Sequence, residues 1–384
     1  MVEAKEPKRI LHIVSAMNRG GAETLLMNIF RNIDREKVQF DFISHRNEQC
    51  DYDGEIITLG GEVYRIPSLG QVGPFAYMRE LTKIMSKKQY VAVHTHTDYQ
   101  GGIAAIAAKI VGIEKRICHS HSSNWSKGSG FRAKVILKAL QFIMNYAGTD
   151  YCACSIEAAR FLFKEKLVRT KVKVMKNGID TRQFIEVDAC DSTYLKKELD
   201  IPDNAKIIGH IGHFSESKNH DFILKVLKEM VKRDKNFIVV LVGEGPLKDT
   251  VKLKAKELGI CSNIRFLGVR SDIPQLIKLF DVFLFPSLFE GFGIVTLEAQ
   301  CSGTPCVVAD TIPKDTDMGL GLISFVSLNE NFEIWSREIY KALQIERPKK
   351  QLIIDNISDL GFDIRSNIPK WLALYGLDTQ EYVM

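Results

Sequence analysis

Short apolar segments alternate with longer amphipathic segments along most of this 384-residue chain, and this alternation restricts the fold more than any other feature. Residues 9–16 (RILHIVSA) have the length of a buried strand, and residues 22–33 carry apolar side chains at the spacing of one helix face. Strands that alternate with helices are typical of a parallel sheet with helices on both faces. We therefore predict a doubly wound α/β fold. Further strands are predicted at 38–44, 62–67, 90–96, 116–121, 151–155, 172–176, 206–212, 236–242, 264–268, 281–286 and 305–310.

The alternation runs twice, which indicates two domains. A chain of 384 residues also exceeds the usual domain size of roughly 100–150 residues. Polar residues dominate 181–205, and we interpret this segment as a linker. We predict two tandem Rossmann-like doubly wound domains facing a cleft, at 1–180 and 206–365. A C-terminal helix at 366–384 is expected to pack back on the first domain. A cleft between domains is a preferred location for a ligand.

The composition excludes several classes of protein. A net charge of +5 is mild, and it lacks the strongly basic character of a nucleic-acid-binding domain. No apolar run approaches the ~20 residues needed to span a bilayer, and residues 1–8 are charged, unlike a signal peptide. The 8 cysteines are scattered, which favours a reduced protein without a disulfide framework. We expect a cytoplasmic protein, at most in peripheral contact with the inner face of the cell membrane.

The segment 289–298 (FEGFGIVTLE) is the strongest candidate for a functional site. It follows a predicted strand, and ligands of α/β sheets bind beyond the carboxyl ends of the strands. Glu290 lies in the loop and Glu298 lies inside the next helix, whose N-terminus favours anions such as phosphate. Ionised carboxylates only accept hydrogen bonds, which suits the hydroxyl groups of a sugar. The loop between them leads into the helix through Gly291, Phe292, Gly293 and Ile294.

Small residues and a lysine follow other predicted strands. Glycine lets backbone N–H groups approach an anion closely, and a lysine near a helix start is a good phosphate partner. The alternative for the glycines is a tight turn, and for the lysine a solvated surface position. The first turn lacks the G-x-G-x-x-G spacing of dinucleotide-binding folds. The residues concerned are Gly20, Gly21, Lys218, Gly243, Gly245 and Pro246.

Two predicted strands end in histidine pairs, His94 with His96 and His119 with His121. Residues two apart on a strand share a face, so a zinc cluster is one interpretation. The neighbouring sequence, however, supplies no cysteine or carboxylate set that completes a ligand pattern. Buried core histidines are a second interpretation. The third is a polar lining that binds hydroxyls and phosphates, to which Asp98 and Asn124 would add.

Taken in order, these motifs resemble the family 4 retaining glycosyltransferases of GT-B architecture. The most specific of them is the Glu-x7-Glu element that ends at Glu298. Segments 17–24 (MNRGGAET), 96–100 (HTDYQ) and 119–121 (HSH) are similar to the EpsF-type exopolysaccharide glycosyltransferases of Gram-positive bacteria. The resemblance covers essentially the whole chain. It implies transfer of a sugar from a nucleotide-diphosphate donor, UDP by expectation, to a lipid-linked oligosaccharide acceptor in exopolysaccharide or capsule synthesis, with no metal and no other cofactor.

The resemblance also implies roles for particular residues. Glu290 would hold hydroxyls of the donor sugar, and Glu298 would bind the nucleotide ribose. Lys218 would neutralise the diphosphate with help from the Gly20–Gly21 backbone, and either His119 or His121 would match the donor-sugar histidine of the family. The base would be flanked by Gly243, Gly245, Pro246, Val269 and Arg270, and the acceptor side would contain His96, Asp98 and Asn124.

One position departs from the family pattern. His213 stands where the family usually carries an arginine. A neutral histidine donates one hydrogen bond, whereas arginine offers a fork, so donor binding would be weaker by ~1.5–3 kcal/mol. Protonation of His213, or compensation by Arg19 or Arg270, would restore it.

Three other functions stay open at this stage. One is a sugar-nucleotide epimerase of GT-B shape, which would act without an acceptor. Another is a non-catalytic sugar-nucleotide sensor. The third is a metallohydrolase built on the histidine pairs.

Overall fold

The computed structural model describes residues 6–121, 130–187 and 190–377. They form two compact units. The first unit contains the described residues up to Gly178 together with those from Gly361 onwards, and the second unit is Ile179–Leu360. By these bounds the segment 181–205, predicted as a linker, belongs to the second unit, and the described C-terminal segment belongs to the first.

The described strands of the first unit form one parallel sheet. They are β1 (Lys8–Val14), β2 (Val38–Ser44), β3 (Val63–Arg65), β4 (Tyr90–Thr95), β5 (Lys115–Ser120), β6 (Asp150–Ala153) and β7 (Val172–Val174). Their order is β3-β2-β1-β4-β5-β6-β7. The chain therefore grows outward from β1 in one direction and then from β4 in the other. This reversal between two adjacent strands creates the kind of crevice in which doubly wound sheets bind ligands.

Helices cover both faces of this sheet. Trp371 and Leu372 of the C-terminal helix are fully buried in one core cluster, with Ile10 and Phe40 of the sheet. Leu11 and Val93 point to the opposite face and pack with Tyr77. The helices of the first unit are α1 (Gly21–Asn32), α2 (Asp53–Thr58), α3 (Leu69–Met85), α4 (Gly101–Ile110), α5 (Phe131–Ala147), α6 (Ile156–Leu162), α7 (Glu165–Thr170) and the C-terminal α16 (Ile364–Leu374), with a short 3₁₀ turn at Asp98–Gln100.

The second unit repeats the architecture with a parallel sheet of its own. Its described strands are β8 (Lys206–Ile211), β9 (Phe237–Val242), β10 (Ile264–Gly268), β11 (Val282–Phe285), β12 (Cys306–Ala309) and β13 (Ile323–Val326). The order β10-β9-β8-β11-β12-β13 reverses between β8 and β11. Its helices are α8 (Thr181–Ile185), α9 (Cys190–Glu198), α10 (His220–Val231), α11 (Lys248–Glu257), α12 (Ile273–Leu279), α13 (Ile294–Cys301), α14 (Phe332–Ala342) and α15 (Lys350–Asp359), with 3₁₀ turns at Glu216–Lys218, Cys261–Asn263 and Lys314–Thr316.

The predicted fold class is confirmed, since both units are α/β with parallel sheets. The predicted strands at 38–44 and 264–268 coincide with β2 and β10. The edge strand β13 was not predicted, because its sequence is short and three of its four residues are only partly buried. None of the helices that the structure describes combines the length and the apolar character that crossing a bilayer requires.

Candidate functional site

In the second unit, the strongest candidate site lies where β8 and β11 end side by side. These strands pair in parallel at the point where the strand order reverses. The loop after β8 carries Lys218, and the loop after β11 carries Glu290. Two hydrogen bonds fasten the loops together: the Leu288 N–H donates to the Ser217 carbonyl (2.8 Å), and the Asn219 side chain donates to the Pro286 carbonyl (3.1 Å). Residues far apart in sequence are thereby held in one site.

Lys218 and Glu290 form an ion pair at the centre of this site. The Lys218 Nζ lies 2.5 Å from the Glu290 Oε1, and the two side chains are 19% and 13% exposed. The same ammonium lies 4.8 Å from the ring centre of Phe285. Both charged groups are thus largely shielded from water yet still reachable. A ligand with phosphate oxygens and sugar hydroxyls offers each of them a new partner of the right chemistry.

The helix α13 begins directly beside this pair. Gly293, its N-terminal flanking residue, has φ 84°, a left-handed conformation that favours glycine. This turn redirects the chain from the loop into the helix, whose first N–H groups can bind an anion. Of the other loop residues predicted here, Phe292 is buried, while Gly291 and Ile294 are partly exposed.

Glu298 lies inside α13 and is more deeply buried than Glu290. Glu298 is 8% exposed, and it forms no salt bridge with any residue that the structure describes. Burial without a compensating cation raises the pKa of Glu298 to about 7. A buried carboxyl group of this kind is well suited to accept hydrogen bonds from hydroxyl groups of a ligand.

The glycines after β9 are required by packing. Gly243 and Gly245 have φ 137° and 156°. A Cβ on Gly243 would lie 2.2 Å from the Gly212 carbonyl oxygen, and one on Gly245 would lie 2.6 Å from the Phe214 backbone nitrogen. These glycines therefore let the loop containing Pro246 lie directly on the chain that follows β8. The packing explanation and the predicted role beside a nucleotide base are compatible.

Arg270 is held by carboxylates of its own unit. Its guanidinium donates to Glu198 (2.8 Å) and to Asp272 (2.8 and 2.6 Å). These two partners raise the pKa of Arg270 above its ordinary value. Val269 and His213 are both exposed. The Arg270 side chain is therefore engaged, and compensation for the missing arginine at position 213 would require it to leave two ion pairs.

In the first unit, Gly20 and Gly21 form the start of α1, just after β1. The Glu23 carboxylate folds back onto Gly20, so that a Cβ there would lie 2.3 Å from the Glu23 Oε2. Burial raises the pKa of Glu23 to about 7. The space beside Gly20 is thus filled by the carboxyl end of a flexible side chain. Glu23 was not among the predicted site residues, although it lies within the same short motif.

Histidines from three adjacent strands meet on one face of the first sheet. The Nδ1 of His12 lies 3.1 Å from the Nε2 of His96, and the Nδ1 of His96 lies 2.9 Å from the Nε2 of His121. Next to this row, the Nδ1 of His119 lies 3.2 Å from the Nε2 of His94. The predicted clustering of the two pairs is therefore present, and His12 joins them.

Two features of this cluster were absent from the sequence-based interpretation. His12 is a lone polar residue in an apolar strand, and only its register opposite His94 places it in the cluster. The second is a cysteine beside the histidines, since the Cys152 Sγ lies 3.6 Å from the His94 Nε2. Cys152 is opposite His119 in the β5–β6 register, which the sequence alone does not give.

The histidines differ in their access to solvent. His94, His96 and His119 are buried, whereas His121 is partly exposed. Burial lowers the pKa of His94, His96 and His119 well below the ordinary value, so all three are neutral at pH 7. His121 donates its backbone N–H to Asp98 (2.8 Å). Between His119 and His121, exposure thus favours His121 as the ligand-facing residue.

Two predicted features fall partly or wholly outside the described residues. The candidate acceptor-side residue Asn124 lies outside them, and the predicted C-terminal helix at 366–384 is described only as far as Leu377. Asp98 begins the 3₁₀ turn after β4.

The chain matches two family models. "Glycosyltransferase Family 4" matches residues 19–183, and "Glycosyl transferases group 1" matches residues 191–317. Bacillus subtilis EpsF, named as a glycosyltransferase, is 39% identical over 97% of this chain and 98% of its own length. An Escherichia coli UDP-Gal:α-D-GlcNAc-diphosphoundecaprenol α-1,3-galactosyltransferase is 28% identical over 60% of each chain. Among solved structures, Anabaena HepE in complex with UDP and glucose superimposes with a TM-score of 0.78 at 19% identity, covering 96% of this chain and 99% of HepE.

Proposed function

Since this chain belongs to glycosyltransferase family 4, with the GT-B architecture, we propose that it transfers a sugar from a UDP-sugar to a lipid-linked oligosaccharide acceptor. The transfer would retain the anomeric configuration and serve exopolysaccharide or capsule synthesis. A UDP donor is supported by the names of the E. coli relative and of the HepE complex. The diphosphoundecaprenol substrate in the name of the E. coli relative supports a lipid-linked acceptor.

The observation that carries this proposal is the Lys218–Glu290 pair at the point where the strand order reverses. Glycosyl transfer from a UDP-sugar breaks the bond between the anomeric carbon and the diphosphate, which leaves with the bonding electrons. The Lys218 ammonium and the N-terminus of α13 stabilise that growing negative charge. Glu290, released from Lys218 by the diphosphate, accepts hydrogen bonds from the donor sugar.

The acceptor hydroxyl attacks the same face of the anomeric carbon that the diphosphate leaves. The departing phosphate oxygen takes the acceptor proton, so no separate acid and base are required. Glu298 binds the ribose hydroxyls, and the backbone at Val269 and Arg270 flanks the base together with the Gly243–Pro246 loop. A cationic side chain and a helix N-terminus do the work that a divalent metal does elsewhere, and we propose that transfer requires no metal.

Contact with a membrane is supported by α5. Over Phe131–Ala147 this helix carries no acidic residue, and Arg132, Lys134 and Lys138 are exposed. Large apolar side chains lie exposed among these basic groups: Phe131 (83%), Val135 (51%), Ile136 (54%), Phe142 (60%) and Tyr146 (70%). Basic and apolar side chains together favour binding to an anionic bilayer surface. Such binding would bring the enzyme to the surface that holds a lipid-linked acceptor.

A panel of sugar nucleotides, offered with and without a polyprenyl-diphosphate oligosaccharide, tests the proposed reaction. We expect UDP release that depends on the acceptor, a product with the anomeric configuration of the donor by NMR, and the same rate in excess chelator. Interconversion of a UDP-sugar without acceptor would instead establish an epimerase. Binding of UDP-sugars with no turnover under any condition would establish a sensor.

A further inference from the structure

Part of the histidine cluster has no role in the proposed transfer. His94, His119 and Cys152 lie buried on β4, β5 and β6, beneath the C-terminal helix α16. Each offers a ligand atom, and these atoms all lie within 4.8 Å of one another. We infer that His94, His119 and Cys152 form a buried binding site for a thiophilic metal ion, of the zinc(II) or copper(I) class.

The distances agree with the geometry of such an ion. Typical zinc bonds of about 2.05 Å to nitrogen and 2.3 Å to sulfur, at tetrahedral angles, place two nitrogens about 3.3 Å apart and a nitrogen and a sulfur about 3.6 Å apart. The His94 Nε2 lies 3.2 Å from the His119 Nδ1 and 3.6 Å from the Cys152 Sγ. An ion could therefore bind with shifts of a few tenths of an ångström or less along these two edges.

The group behind His94 is the kind that accompanies a metal ligand. Histidines that bind metals usually donate their second ring N–H to an acceptor, which fixes the ring and its tautomer. The Nδ1 of His94 lies 3.0 Å from the Tyr375 hydroxyl of the segment after α16. With Nδ1–H donated to Tyr375, the Nε2 of His94 presents its lone pair to the site.

The site is also chemically suited to bind an ion. His94 and His119 are 0% and 1% exposed, and neutral imidazole is the form that binds metals. The ion would bind Cys152 as the thiolate, so its binding releases the thiol proton. Two imidazoles and a thiolate favour zinc or copper over magnesium or calcium.

Such an ion would fix the C-terminal helix to the sheet. Trp371 of α16 lies over the cluster, with its ring centre 5.5 Å from that of His94 and 5.6 Å from that of His119. The ion would thus join three strands directly and α16 through Tyr375. This is a stabilising role, distinct from the proposed transfer. The distances among His94, His119 and Cys152 also permit hydrogen bonds. A metal-free hydrogen-bond network is therefore the alternative to a bound ion that the experiment distinguishes.

Metal analysis of the full chain, purified without an affinity tag or chelator, tests the site. Elemental mass spectrometry should find about one equivalent of zinc or copper in the wild type, and which element is found distinguishes the two ions. The Cys152→Ala variant should lose most of the bound metal. The matched control is Cys118→Ala, because Cys118 is equally buried on β5 but belongs to a different core cluster.

A second variant keeps the test valid if Cys152→Ala fails to fold. Tyr375→Phe removes only the hydroxyl behind His94 and should weaken zinc binding about 10–100-fold in a competition with a chromogenic chelator. A wild type that contains neither metal, and whose melting temperature does not rise with added zinc(II) or copper(I), overturns the site. So does a Cys152→Ala variant that keeps as much metal as Cys118→Ala.

Discussion

Replacing Glu290 by alanine tests the central assignment of the donor site. Two hydrogen bonds from donor-sugar hydroxyls to a charged carboxylate contribute ~1.5–3 kcal/mol each. Their loss in the transition state lowers kcat/KM by ~10²–10⁴-fold. UDP lacks the donor sugar whose hydroxyls Glu290 binds, and the substitution frees Lys218 from its 2.5 Å partner. We therefore expect UDP binding to persist while transfer is lost.

The substitution also has a cost in stability that can be bounded from the structure. Exposed ion pairs contribute ~0.2–1 kcal/mol, and removing one member of a fully buried pair costs ~3–5 kcal/mol. Because the Lys218 and Glu290 side chains are 19% and 13% exposed, an intermediate loss of ~1–3 kcal/mol in the free energy of unfolding is expected. The protein should remain folded at the assay temperature.

Initial rates with a saturating acceptor and calorimetric titration with UDP measure the two effects separately. The control is Glu333→Ala, which removes an exposed ion pair of the same unit, between Glu333 and Arg233 at 3.0 Å. That control should keep wild-type rates. A Glu290→Ala enzyme with kcat/KM within about fivefold of the wild type would refute the assignment, and equal loss of UDP binding and transfer would show that Glu290 holds the nucleotide instead.

Three further predictions concern other parts of the molecule. His213→Arg should not reduce UDP-sugar affinity in a calorimetric titration, and a large loss would show that His213 is specifically fitted. Burial raises the pKa of Glu298 from 4.5 to about 7, so the folded state keeps this proton to higher pH than the unfolded state, and the free energy of unfolding falls between pH 4.5 and 7. Glu298→Gln should remove ~2–3 kcal/mol of this fall, as measured by urea unfolding curves. The same variant should bind UDP more weakly. Lys134→Glu with Lys138→Glu on α5 should reduce sedimentation with phosphatidylglycerol vesicles at least tenfold and leave UDP binding unchanged, whereas equal binding of both proteins would exclude α5 as the contact surface.

The fold could be predicted because its signals are local. An apolar run such as 38–44 and the helix period of 22–33 each lie within a few neighbouring residues. A helix start at Gly293 could be predicted for the same reason, and in the structure Gly293 directly precedes α13. Edge strand β13 was missed because its partly buried side chains weaken the apolar signal on which a strand prediction depends.

The contacts within the sites could not be predicted, because they depend on which strands are neighbours. Lys218 meets Glu290 only because β11 pairs with β8 rather than with β10. In the same way, Cys152 meets the histidines only through the β5–β6 register. Strand order and register are long-range properties, and no short motif of the sequence encodes them.

The structure also bears on which cation could compensate for His213 in place of the usual arginine. Arg270 could replace the missing arginine only by leaving Glu198 and Asp272, both of which hold it through hydrogen bonds. Among the described residues of the β8 and β11 loops, this leaves Lys218 as the cation already oriented by a carboxylate. The ion pair with Glu290 keeps the Lys218 ammonium partly desolvated and in position before the donor binds. The diphosphate therefore does not have to immobilise the Lys218 side chain. A site with a weak second contact can therefore still favour the leaving group, provided that Glu290 exchanges its partner when the donor binds.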